Sequence, residues 1–283
     1  NMKAIVSTTF DNKYLFFLPI CVWAWNKIGV DVICFIPNSI SGYTGQEILN
    51  NGKRLCLAED TVISSCSSKQ NMTVQFSSEE HKEATYAQCS RLYGACLNFP
   101  EEEIIVCGDI DMLPFPELKR IIDSSVIENG GRLTSFGYDL VPVGQLPICY
   151  AWGSKKEWES VMEIKGRTYQ QCLDDELGEL ESTHFRGNFW SRDQEIMQRQ
   201  FIKIDFVRIS RARTGTQFAR QRVDRDDINW QSYLGSNLID AHLWRPGYAE
   251  ENFIKIIELL HFQYPEENLQ WMWDYRNEYI KLL

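Results

Sequence analysis

The chain has 283 residues, 44% of them hydrophobic, and a formal net charge of −10. That length supports one sizeable core, and the negative charge opposes binding that tracks a nucleic-acid backbone. No apolar run approaches the roughly 20 residues a membrane helix needs, and the opening "NMKAIVSTTF" lacks the basic-then-apolar layout of a secretion signal.

In chain order, "KAIVSTTF" (3–10) predicts an apolar strand ending in small hydroxyl residues. "YLFFLPICVWAWNKIG" (14–29) carries bulky residues at helical spacing, with Gly29 as its stop. "VDVICFIP" (30–37) predicts a second strand, and residues 41–60 a loop with a short helix. A Ser-Ser-Glu-Glu start signal opens a predicted helix over 77–99, followed by a strand in "EEIIVCGDIDM" (102–112) and a helix from Pro116. Strands alternating with helices predict an α/β fold, a Rossmann-like and mostly parallel central sheet flanked by helices. Residues 131–154 predict short strands separated by Gly/Pro turns, 155–164 a short helix, and 188–201 a loop feeding a helix. The tail reads as two helices broken near Pro265. We expect a single domain over 1–283: a nucleotide-binding half (3–115), an acceptor- and sugar-binding half (131–250) and a C-terminal helical tail (250–283).

The nine cysteines are odd in number, scattered and without a CxxC pair, which argues against a disulfide scaffold or a zinc cluster. Several sit in apolar runs as small hydrophobes. The expected setting is reducing and cytoplasmic.

The chemistry concentrates in "IIVCGDIDMLPF" (104–115). Asp109 and Asp111 follow an apolar strand, and in an open α/β sheet ligands bind beyond the carboxyl ends of the strands. In an extended segment residues i and i+2 face one side, about 6–7 Å apart. Two carboxylates there repel each other, and a hard divalent cation relieves the repulsion while bridging to phosphate oxygens. The competing reading is turn formation and capping of the helix after Pro116. A second D-x-D, Asp224-Arg225-Asp226, lies in polar, arginine-rich surroundings and reads as a solvated ion-pair cluster. An EF-hand loop is excluded, because its glycine and distal glutamate are missing.

The segment resembles the D-x-D of nucleotide-sugar-dependent glycosyltransferases of the GT-A fold, and the resemblance extends in order over roughly residues 3–250. "STTF" (7–10) resembles the end of the family's first strand, implying nucleotide contacts by Thr8 and Thr9. "TYAQCSRLYGA" (85–95) resembles the helix whose arginine, here Arg91, reaches the donor. "PICYAWGSKKEW" (147–158) resembles the sugar and acceptor floor, implying donor contacts at Trp152 and Gly153 and acceptor contacts at Tyr150 and Trp190, with core packing the competing reading for these aromatics. "FWSRDQEIM" (189–197) resembles the family's D-Q helix start, and "DAHLWRPG" (240–247) its late histidine segment. The overall layout also resembles the enzymes with which large algal DNA viruses build capsid glycans.

The resemblance implies a hexosyl- or pentosyltransferase that uses Mn²⁺ or Mg²⁺, a UDP-sugar donor and a glycan or other hydroxyl acceptor. Asp109, Asp111 and His242 are the implied metal ligands, with Ile110 between the aspartates also in the donor site. Asp193 is the implied catalytic carboxylate, a general base for inversion or a holder of sugar hydroxyls for retention, with Glu195 and Asp175 as substitutes. Arg245 suits the diphosphate, as do Arg211, Arg222 and Arg225 of the arginine-rich stretch 208–230, read as a mobile loop over the phosphates.

Two rivals stand beside this reading. A haloacid-dehalogenase-type phosphatase also places D-x-D after an apolar strand, but a small or hydroxylated residue is usual where this chain has Leu113. A non-enzymatic carbohydrate-binding protein accounts for nine tryptophans and twelve tyrosines, though not for the acidic pair.

Overall fold

A computed structural model of the chain describes residues 1–38, 44–65, 69–79, 82–178, 191–211, 221–235 and 237–283. Its centre is a seven-stranded sheet. The strands are β1 (Met2–Ser7), β2 (Asp31–Pro37), β3 (Met72–Phe76), β4 (Ile104–Cys107), β6 (Thr134–Phe136), β7 (Ala151–Ser154) and β8 (Val207–Ile209), in the order β3-β2-β1-β4-β7-β6-β8. Every neighbouring pair is parallel except the two that β7 makes, so one strand runs against the other six. A second, three-stranded sheet of β5 (Met112–Pro114), β9 (Arg222–Asp224) and β10 (Asp240–His242) has β10 in the middle, antiparallel to β5 and parallel to β9.

Helices cover both faces of the large sheet, which is why β1 and β2 are apolar at successive positions rather than alternate ones. Ala4, Val6, Val32 and Cys34 join a core with α2 (Leu18–Lys27), α3 (Gly45–Ser65), α5 (Pro116–Asn129), α9 (Glu250–Gln263) and α10 (Gln270–Ile280). Ile5, Ile33, Ile105 and Cys107 join another with α4 (Glu83–Ser90), α6 (Lys155–Val161), α7 (Tyr169–Leu177) and α8 (Arg192–Phe201). The tail is seated by aromatic packing. Phe16, just after the short α1 (Asn12–Leu15), stacks on Tyr275 at 5.3 Å, and the Tyr275 hydroxyl donates to the Phe16 carbonyl at 3.0 Å.

Several elements differ from the sequence-based expectation. The short helix expected within 41–60 is the 21-residue α3. β3 and α7 were not expected; α7 begins with a Thr168–Gln171 capping box. The helix expected over 77–99 is α4 followed by a 3₁₀ turn, Arg91–Cys96, and α4 starts at Lys82 without a side-chain cap. The tighter turn lets Gly94 lie against Ile5, where a β-carbon would stand 2.8 Å from Cγ1. Strand 102–112 is broken: β4 ends at Cys107, the chain turns, and β5 starts at Met112 in the other sheet.

Candidate active site

From β1 the chain crosses to β2 and β3 on one side, then returns to β4 on the other side of β1. Such a reversal opens a crevice beyond the carboxyl ends of the two strands. A cleft of about 420 Å³ lies there. Thr8 and Thr9 line it at the end of β1, and the Thr8 amide donates to the Phe35 carbonyl at 3.1 Å. Gly108, Asp109, Ile110 and Asp111 form the turn at the end of β4. The Gly108 amide donates to the Ile5 carbonyl at 2.9 Å, and that of Met112 to the Asp109 carbonyl at 3.2 Å.

This turn changes what the acidic pair does. The two aspartates are not neighbours along an extended strand; each enters its own ion-pair group. Arg91, 4% exposed, joins the Asp109 carboxylate to that of Asp193, with Nη2 2.8 Å from Asp193 Oδ2, and its Nη1 also donates to the Gly108 carbonyl at 2.8 Å. Asp111 turns toward the small sheet: its Oδ2 is 3.0 Å from Arg225 Nη1, 3.4 Å from His242 Nε2 and 3.5 Å from Arg245 Nε. A third group sits deeper, where Asp240 takes the guanidinium groups of Arg211 and Arg222.

The buried charges titrate accordingly. Burial pushes the Asp193 carboxyl up and Asp109 adds to the shift, against Arg91 and the Gln194 amide, which donates at 2.8 Å. Burial also pushes Asp111 up, but His242, Arg245 and Arg225 outweigh it and hold this carboxyl below its ordinary value. Burial pulls His242 down, yet Asp111 and Asp224 raise it to about 9. Asp224 falls to about 2, chiefly through His242.

The cleft gathers Thr8, Thr9, Arg91, Asp109, Ile110, Asp111, Asp193, Arg211, His242 and Arg245, all expected at the site. It does not gather Trp152, Gly153 or Tyr150. Trp152 is wholly buried against Phe136, 6.1 Å between ring centroids. A β-carbon on Gly153 would stand 2.7 Å from Leu133, and the buried Tyr150 ring meets Trp25 edge-on. Lying in or just before β7, between β4 and β6, these residues pack inside the fold rather than floor the cleft. Trp190 lies outside the described residues. Of the arginine-rich stretch, residues 212–220 lie outside the described residues; Arg211 and Arg222 are fixed on Asp240, and Arg208 stacks on Phe206. Asp175 pairs with Arg167 on the surface, and Glu195 accepts from Ser191; neither lines the cleft.

Sequence reasoning missed Tyr14, whose hydroxyl accepts from Arg245 and whose ring lies 4.9 Å beneath that guanidinium. The second D-x-D is an ion-pair cluster, as expected, but one joined to the cleft: Asp224 at the end of β9 lies beside His242 with its side chain still 42% exposed, Arg225 reaches Asp111, and Asp226 is exposed.

The donor set fits a divalent cation in part. A carboxylate oxygen and an imidazole nitrogen 3.4 Å apart suit two ligands about 2.1 Å from one ion. Among the described residues no cluster of three His, Cys, Asp or Glu converges as a cage, and Arg91 holds the Asp109 carboxylate. The fit is thus a two-donor one, with further positions left to substrate or water oxygens, as magnesium-type sites commonly have. Among the described residues no helix is long and apolar enough to cross a membrane.

No protein-family model matches the sequence, and no curated protein matches it. Similar solved structures include the galactosyltransferase LgtC in complex with donor and acceptor sugar analogs, at a TM-score of 0.48 and 9% identity, covering 95% of this chain and 99% of that one. The glycosyltransferase GlyE of Streptococcus pneumoniae TIGR4 aligns at a TM-score of 0.48 and 9% identity over 99% of this chain and 63% of its own. Mannose-6-phosphate isomerase from Helicobacter pylori aligns over 57% of this chain and 74% of its own, at a TM-score of 0.37 and 11% identity.

Proposed function

We propose that the chain is a metal-dependent glycosyltransferase of the GT-A kind, moving a sugar from a nucleoside diphosphate, UDP in the first instance, to a hydroxyl of a glycan acceptor. One observation carries the reading. A buried carboxylate, Asp111, lies beyond the carboxyl end of β4 with an imidazole and two guanidinium groups around one oxygen. That arrangement supports a cation bound between Asp111 and His242, with guanidinium partners for a diphosphate.

Thr8 and Thr9 meet the nucleotide at the end of β1. Arg225 and Arg245 give guanidinium donors to the diphosphate oxygens, and Tyr14 holds Arg245 in place from below. Asp111 and His242 would hold Mn²⁺ or Mg²⁺, which when bound would supply Lewis acidity toward the charge of the nucleotide leaving group. Arg91 fixes Asp109 and Asp193 in one geometry beside the sugar position. Asp193, its carboxyl raised by burial, takes the proton of the acceptor hydroxyl where configuration inverts. Where configuration is retained, it accepts hydrogen bonds from donor-sugar hydroxyls.

A thermal-shift screen of nucleotide sugars with and without Mn²⁺, followed by a nucleotide-release assay, tests the proposal. A donor at about 100 times its Kd adds roughly 2.7 kcal/mol of stability, a rise of about 4–5 °C at roughly 2.1 cal/mol/K per residue. The absence of metal-dependent stabilisation across UDP-, GDP- and CDP-sugars would count decisively against it.

A further inference from the structure

We infer that Asp224 is a positioning residue that orients His242 for a divalent cation; the inference rests on the metal-dependent reading above. The register of the small sheet carries it. In the parallel pairing of β9 with β10, Asp224 is the partner of His242, and in the antiparallel pairing of β10 with β5, His242 is the partner of Met112, next to Asp111. Three paired strands thus set out a row of carboxylate, imidazole and carboxylate. His242 Nδ1 is 3.6 Å from Asp224 Oδ2, within ion-pair range, while Nε2 is 3.4 Å from Asp111 Oδ2.

Asp224 is itself oriented. Its Oδ1 accepts from the Asp226 amide at 3.1 Å, which leaves Oδ2 toward the imidazole. A neutral imidazole whose Nδ1–H faces a carboxylate presents the lone pair of Nε2 on its other side, the tautomer a metal ligand needs once the cation displaces the second proton. Asp224 is too far around the ring to share an ion with Nε2, so it acts through His242 and not as a ligand. The next residue after Asp224, Arg225, reaches Asp111, 3.0 Å away. One strand end therefore delivers both the carboxylate that turns the histidine and a guanidinium for the diphosphate.

Mn²⁺ titration of the nucleotide-free protein, read by the electron paramagnetic resonance of free Mn²⁺, tests this in wild type, D224A, D224N, H242A and D224A/H242A. D224A should weaken Mn²⁺ binding about 10–100-fold, as loss of an outer-shell partner does. D224N, which keeps an oxygen acceptor, should weaken it less, and D224A should add nothing once His242 is gone. Should D224A unfold in a melting control, D224N against wild type decides, and wild-type affinity in it overturns the inference. D224A binding Mn²⁺ as tightly as wild type, or weakening it equally in the H242A background, also overturns it. Wild-type protein that takes up no Mn²⁺ removes the metal-dependent reading and this inference together, an outcome distinct from the other two.

Discussion

Replacing Asp240 by asparagine should destabilise the protein severely. Asp240 is wholly buried, and its carboxylate faces two guanidinium groups: Arg211 Nη2 at 2.6 Å and Arg222 Nε at 3.0 Å. The amide in D240N keeps the shape but removes the charge and turns an N–H donor toward donors. Removing one partner from a buried ion-pair group typically costs about 3–5 kcal/mol, because the remaining charge is left uncompensated. At roughly 2.1 cal/mol/K per residue, the unfolding entropy of this 283-residue chain converts that loss to a Tm about 5–8 °C lower. Differential scanning calorimetry at pH 7 reads it directly. Burial alone would push the Asp240 carboxyl up, but Arg211 and Arg222 hold it well below the ordinary carboxylate range. A depressed folded-state pKa means a contribution fully present above the unfolded value, about 3.9, and lost as pH falls through the folded one. The gap between wild type and D240N should therefore narrow in acid, below about pH 4. A D240N protein melting within about 1 °C of wild type at pH 7 would refute the reasoning.

Arg91→Lys should lower nucleotide-sugar turnover about 10²–10³-fold, the usual scale for losing one preorganised donor, since a single ammonium cannot fork between Asp109 and Asp193; turnover within tenfold of wild type would show that the bridge is dispensable. Trp152→Leu should lower stability by about 2–4 kcal/mol while leaving nucleotide affinity intact; selective loss of donor-sugar affinity at unchanged Tm would restore a stacking role. Gly94→Ala should cost about 1–3 kcal/mol by overpacking against Ile5 and depress turnover by shifting the turn that carries Arg91; chemical denaturation and kinetics on one sample check both.

The large sheet was legible because β1, β2 and β4 are covered on both faces, so burial leaves an unbroken apolar mark in the sequence. The small sheet was not. Its strands are three residues each, too short for periodicity to register, and they pair across long sequence separations, Met112 with His242 and Asp224 with His242. The same distance explains why the partners of Asp224 and Arg225 went unread: they are His242 and Asp111, remote in sequence. Asp109, Asp111, Asp193 and His242, all of which line the cleft, were singled out through the order of local motifs around them. Trp152 was misplaced because a tryptophan beside a glycine looks alike in a loop or a strand, and only the pairing of β7 turns it inward. The threonine and glutamine that cap α7 were readable but went unused.

β5 and β9 never touch as strands; each is bonded to β10 alone. β10, Asp240–His242, follows both of them in the chain, so it slots between two strands already made. Without it β5, next to Asp111, and β9, ending in Asp224, have no common strand to set their register, so the grouping of Asp111, Asp224 and His242 depends on the arrival of β10.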